Sequence, residues 1–153
     1  MNKELIINSA PQGVEIALLE DKKLVELHNE KADASFAVGD LYLGKVRKLI
    51  PGLNAAFVDV GFEKDAFLHY TDLSPYAKSL LKFTQQSITD NSTGGFDFAR
   101  FEVEAEIVKT GKINEVLGGK PNVLVQILKE PIAAKGPRLS CEISLPGRFV
   151  VIT

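Results

Sequence analysis

Between Val38 and Leu73, and again from Val123 to Ile143, apolar residues recur at every second position in short runs closed by glycine or proline. This pattern constrains the fold more than any other feature of the chain. A period of two sends alternate side chains to opposite faces of a strand, and short runs leave no room there for a long helix. Leu41-Tyr42-Leu43-Gly44-Lys45-Val46 leads, after Pro51-Gly52, to Ala55-Ala56-Phe57-Val58-Asp59-Val60-Gly61. A charged turn (Glu63, Lys64, Asp65) precedes Ala66-Phe67-Leu68-His69. Beyond Gly118-Gly119-Lys120-Pro121, Val123 to Leu128 reads as a strand. Leu139 to Ile143 reads as another, after a loop from Glu130-Pro131 to Gly136-Pro137. Strands of this length, with turns at this spacing, predict a small β-barrel.

The flanks are different. Leu5-Ile6-Ile7 is a short apolar run, Pro11-Gln12-Gly13 a turn, and residues 14–28 alternate like a hairpin around Glu20-Asp21-Lys22-Lys23. Two or three strands cannot bury an apolar face by themselves, so this segment is expected to belong to something larger. Within 74–119, Ser79-Leu80-Leu81-Lys82-Phe83 suits a helical turn or two, and Thr89 to Gly95 is polar, glycine-rich and expected to be mobile. Phe96, Phe98 and Phe101 could fold back onto the barrel, and Phe101 to Ile107 alternates like a strand or hairpin arm. Phe149 to Thr153 stops inside an apolar run, and a bare strand edge invites association. The chain is therefore read as a segment of a longer protein.

Composition narrows the function classes. The 153 residues are 45% hydrophobic and 25% charged, ordinary for a soluble globular protein and about one domain's worth. No apolar run approaches the roughly 18 residues of a membrane span. Met1-Asn2-Lys3-Glu4 lacks the basic-then-apolar opening of a secretory leader, so the cytoplasm is the expected compartment. The single cysteine, Cys141, excludes an internal disulfide and a Cys-rich zinc site, and reads as a small buried hydrophobe. Net charge is −2, yet from Leu117 onward Lys120, Lys129, Lys135, Arg138 and Arg148 face only Glu130 and Glu142. A local positive surface of this kind is what phosphate binding needs.

Alternation also places the aromatic residues. Ala56, Val58 and Val60 share one face of their strand, with Phe57 and Asp59 on the other; Ala66 and Leu68 oppose Asp65, Phe67 and His69. Two phenylalanines aligned with charged neighbours on adjacent strands would make a stacking platform for bases. The alternative is that both rings are core, as Phe commonly is. Lys45, Arg47, Lys48 and Lys64 lie near this platform in sequence, with Lys135 and Arg138 in the later loop, where each could meet a phosphate or simply be solvated. His69 could stack or donate, or be structural. Asp59, Asp65 and Asp72 are scattered over turns and strands, so a shared metal ion is the weaker reading of them; no Gly-rich stretch carries the lysine of a phosphate-cradling loop, and no local pattern suggests a nucleophile. No catalytic residue and no metal ligand is expected in this chain.

Several of these stretches resemble the N-terminal region of the ribonuclease E/G family. They are Gly44-Lys45-Val46, Pro51-Gly52-Leu53, Ala55 to Gly61, Ala66 to His69, Val125-Gln126-Ile127, Lys129-Glu130-Pro131, Lys135 to Leu139 and Ile143 to Arg148, in the right order. The match spans nearly everything except about 74–116, and Pro51-Gly52 with Leu145-Pro146-Gly147-Arg148 favours the ribonuclease G branch. The resemblance implies a mainly β chain. Residues 1–36 would be the N-terminal strands of a split RNase H-like subdomain. Residues 37–145 would be a five-stranded S1-type OB barrel carrying the insertion, and 146–153 the start of the next subdomain. It implies that Phe57, Phe67 and Lys135 hold single-stranded RNA, with Lys45, Arg47 and His69 nearby. It further implies that the catalytic domain, with its Mg²⁺, and the structural zinc of an oligomeric endoribonuclease lie beyond Thr153. Val60 stands where some relatives have an aromatic residue, which would thin the stacking surface. The leading expectation is thus the RNA-binding region of an endoribonuclease that cleaves single-stranded, AU-rich RNA. The other is an interaction module that dimerises through exposed strand edges.

Overall fold

The computed structural model describes residues 2–31, 36–89 and 98–153. The chain forms two compact units, Met1–Ser35 and Phe36–Thr153.

In the first unit, β1 (Lys3–Ala10), β2 (Gly13–Glu20) and β3 (Lys23–Lys31) make an antiparallel sheet in the order β1-β2-β3. The β2–β3 turn is held by Asp21 (φ 47°) and Lys22 (φ 65°), both left-handed, the twist that suits a two-residue hairpin. The hairpin read at 14–28 is present, longer at both ends. Leu5, Ile7 and Leu27 remain largely exposed on this sheet.

The second unit is built on β4 (Leu41–Ile50), β5 (Ala55–Asp59), β6 (Ala66–His69), β7 (Asn122–Lys129) and β8 (Arg138–Ser140). They close into a barrel in the order β4-β5-β6-β8-β7. Every neighbouring pair is antiparallel except β6 and β8, which run parallel. A closed five-stranded barrel with this order is OB-like, as the alternation implied. Inward residues are small or branched (Val46, Ala56, Val58, Ala66, Leu68, Val123, Val125, Ile127 and Leu139), and all are buried. Strands β4 and β5 approach so closely that a Cβ at Gly44 would run into the Val58 side chain and the Asp59 carbonyl. Val60 also belongs to the core, so it takes nothing from the outer surface.

Among the described residues, two α-helices lie between β6 and β7. Helix α1 (Ala77–Thr89) is longer than the turn or two expected, and its main packing partner is β7. Helix α2 (Ile113–Leu117) was not legible in sequence; Ile113 and Leu117 are fully buried and help close the core. Its start is fixed by Asn54, whose left-handed backbone lets Oδ1 accept from Ile113 N–H at 2.7 Å while Nδ2 donates to the Gly111 carbonyl at 3.0 Å. Residues 101–107 do not form the expected strand. Their polar groups turn instead to the start of α1: Ile107 N–H donates to the Pro75 carbonyl, and Glu104 N–H to Ser79 Oγ. Phe101 packs edge-on to Phe83, whereas residues 90–97, including Phe96 and the stretch read as mobile, and the Phe98 side chain lie outside the described residues. The chain ends in a two-strand ladder of β9 (Leu145–Pro146) and β10 (Val151–Ile152).

Candidate nucleic-acid interface

One row of cross-strand partners runs over the outer face of the barrel. Lys48 on β4 is opposite Phe57 on β5, Phe57 is opposite Phe67 on β6, and Phe67 is paired with Arg138 on β8. The row exists because of a bulge. Between Val46 and Lys48 the register slips by one residue, so Val46 points inward while Lys48, two positions on, is exposed. Without the extra residue these two side chains would share a face.

Phe57 and Phe67 are half-buried and meet edge to face, with ring centroids 6.1 Å apart and planes at 68°. The alternation therefore predicted their faces correctly, although neighbouring groups cover each ring in part. His69 continues the line, its ring 6.4 Å from Phe67 and inclined by 29°. Its Nδ1 accepts from Thr71 N–H at 3.2 Å and lies 2.7 Å from Thr71 Oγ1, which fixes the ring.

Beside the rings is a hollow of about 630 Å³, lined by Phe57, Phe67, Lys64, Asp65, Lys135 and Arg138, among others. Its far wall is the 131–137 loop, pressed against the turn before β6. A Cβ at Gly136 would collide with the carbonyl oxygens of Lys64 and Asp65, and Phe67 N–H donates to the Pro137 carbonyl at 2.8 Å. Glycine at this position is what lets Lys135 stand next to Lys64.

The cations of the hollow and of neighbouring β4 fall into two kinds. Lys45, Lys48, Lys64 and Lys135 make no ion pair among the described residues. Both arginines are held. Arg47 donates from Nε to Asp59 Oδ2 at 3.1 Å, and Arg138 donates from Nε and Nη2 to Asp72 Oδ2 at 3.0 and 2.8 Å. The Gly61 N–H, followed by the Arg47 guanidinium, lowers the pKa of Asp59 below the usual carboxylate value. Asp72 is itself anchored, its carbonyl accepting from Cys141 N–H at 2.8 Å.

Of the residues the sequence singled out, Phe57, Phe67 and Lys135 come together around one hollow, and His69 stands beside Phe67 outside its lining. Lys45 and Arg47 lie on β4, beyond β5, and Arg47 is engaged by Asp59. The sequence did not reveal the part played by Gly136 or the partnership of Arg138 with Asp72. No group of three or more His, Cys, Asp or Glu residues among the described ones could hold a metal ion.

A closed OB-like barrel with an aromatic pair on its outer face and unpaired lysines alongside defines a small β-barrel module with a charged, partly apolar surface hollow. Comparison with known proteins takes this further. The chain is 32% identical to ribonuclease G of Escherichia coli (strain K12) over 151 residues, 99% of this chain and 27% of that protein. It is 34% identical to ribonuclease G of Haemophilus influenzae over 148 residues, 97% of this chain and 26% of that one. With ribonuclease E of Nostoc sp. it shares 37% over 153 residues, 99% of this chain and 18% of the relative. No protein-family model matches it. The chain is thus homologous, over nearly its whole length, to the ribonuclease E/G family, and it spans about a quarter of the length of the ribonuclease G relatives. Ribonuclease G relatives are the more numerous, in keeping with the branch its motifs favour, although the identities by themselves do not separate the two branches.

Proposed function

We propose that the barrel holds single-stranded RNA against Phe57 and Phe67, as the RNA-binding region of a ribonuclease E/G-type endoribonuclease acting in RNA processing and decay. The observation that carries this reading is the outer-face row of Lys48, Phe57, Phe67 and Arg138, with unpaired Lys64 and Lys135 at its side. Aromatic faces accept any base by stacking, and lysines at their rim meet the phosphates. Cleavage, the Mg²⁺ it needs and a structural zinc belong on this reading to other parts of the whole enzyme, which works in the cytoplasm as an oligomer. The barrel raises the rate there by positioning substrate rather than by touching the scissile bond. Residues 1–36 would complete a split RNase H-like subdomain with chain that follows residue 146.

The test is a fluorescence-anisotropy titration of a short labelled single-stranded RNA at two salt concentrations. Stacking is worth roughly 1–3 kcal/mol per base, so Phe57→Ala/Phe67→Ala should weaken binding at least tenfold while circular dichroism stays unchanged. Equal binding by the native and doubly substituted chains would refute the platform.

One observation favours a second role. Leu5, Ile7 and Leu27 in the first unit are exposed, and among the described residues β1 and β3 are the outer strands of its three-stranded sheet. Such edges can add a strand from another chain and give a homodimer. Size-exclusion chromatography at several concentrations checks this: a mass that grows with concentration supports it, and a constant monomer excludes it.

A further inference from the structure

The two kinds of cation beside the aromatic pair are built for different tasks. A lysine with no partner is a mobile point charge, suited to any phosphate that comes within reach. Arg138 is the opposite. It sits one strand from Phe67 and lines the same hollow, with its side chain 41% exposed. Asp72 engages the Nε edge of its fork, and the Asp72 carboxylate is only 14% exposed. Two consequences follow. The carboxylate cancels most of the guanidinium charge, so Arg138 has little electrostatic pull left for a phosphate. The pairing also fixes the guanidinium plane and leaves the Nη1–Nη2 edge, with its two parallel N–H groups, directed away from Asp72.

We infer that Arg138, positioned by Asp72, is a base-reading residue of this interface. Its free edge donates a bidentate pair of hydrogen bonds to the O6/N7 edge of a guanine at the Phe67 end of the platform. This rests on the RNA-binding reading above and deepens it. Guanine is the base that offers two adjacent acceptors matched to a guanidinium fork on that edge; adenine presents a donor next to N7 and uracil has no such pair. The hollow is large enough for a base beside the rings. Lys64 and Lys135, which also line it, would carry the flanking phosphates without regard to sequence.

The experiment uses the 153-residue chain and oligouridine 12-mers carrying a single G, A, inosine or 7-deazaguanine, titrated by anisotropy at several salt concentrations. Inosine keeps O6 and N7; 7-deazaguanine lacks N7. The native chain should bind the G and inosine oligomers roughly tenfold more tightly than the A or 7-deazaguanine oligomers, the discrimination a bidentate contact gives. Arg138→Lys should abolish that preference while leaving the salt dependence unchanged. Asp72→Asn should also lose the preference but steepen the salt dependence, because the guanidinium charge is then no longer cancelled. A merely structural ion pair would leave no base preference for either variant to lose. Because Arg138→Ala strands the Asp72 carboxylate, Arg138→Gln serves as the uncharged variant, with circular dichroism as the folding control. The inference is overturned if Arg138→Lys or Arg138→Gln weakens all four oligomers equally, or if the native chain shows no preference among them. Binding that Phe57→Ala/Phe67→Ala abolishes, without any base preference, would leave the platform standing and remove only the role of Arg138. No binding by the native chain would remove both.

Discussion

At the residue scale, Gly136 decides whether the hollow exists. Gly136 brings the 131–137 loop against the turn before β6, and any side chain there meets backbone oxygens that cannot move aside cheaply. Gly136→Ala should cost about 1–3 kcal/mol in urea unfolding and also weaken RNA binding, as Lys135 is pushed away from Phe67. Unchanged stability would contradict this packing. Lys64 and Lys135 should act through charge alone. Replacing either with alanine should make the salt dependence of binding shallower by roughly 0.7 in log–log slope, and the loss should be the same for every RNA sequence. Cys141 is buried, and that burial, reinforced by nearby Asp72, pushes its thiol up to about 12. In the unfolded chain the thiol ionises near 9, so stability owed to its neutral form is complete below about pH 9 and is lost as pH rises toward about 12. At pH 8 an alkylating reagent should label it only as fast as the chain unfolds, which mass spectrometry over a urea series would show. Phe57 and Phe67 were legible because a period of two assigns faces without reference to the rest of the fold. Asp72 and Arg138 are 66 positions apart, and no local pattern announces such a pair.

At the scale of elements, the five barrel strands were legible because short apolar or alternating runs are set off by glycine, proline or charged turns. The register between them was not. The slip that turns Lys48 outward depends on how β4 meets β5, and nothing within β4 records it. Helix α2 escaped notice because five residues are too few to show a helical period. Residues 101–107 show the reverse error. They alternate like a strand, but their N–H groups satisfy α1 and the loop before it rather than a ladder. Asn54 ties these pieces together, bonding Gly111 and Ile113 by its side chain and receiving Tyr70 N–H at its carbonyl. Asn54→Ala would leave those groups unsatisfied and force alanine into a left-handed backbone. A loss of about 2–4 kcal/mol is expected in chemical denaturation, well above an ordinary surface substitution.

At the scale of the whole molecule, two units with different degrees of self-sufficiency share one chain. The second unit buries a continuous core inside a closed barrel, while the three-stranded sheet of the first leaves apolar side chains exposed. On thermal unfolding followed by amide hydrogen exchange, barrel amides should be protected to near the global stability and those of β1–β3 should exchange much faster. Equal protection of both would contradict that division. The central claim, that RNA lies across the Phe57–Phe67 face, is tested most directly by an NMR titration of the isotope-labelled chain with a short single-stranded RNA. The account predicts that shifts concentrate at Lys48, Phe57, Lys64, Phe67, Lys135 and Arg138 and are small along α1. Shifts centred on the groove between α1 and the residues after β8, with Phe57 and Phe67 unmoved, would contradict it.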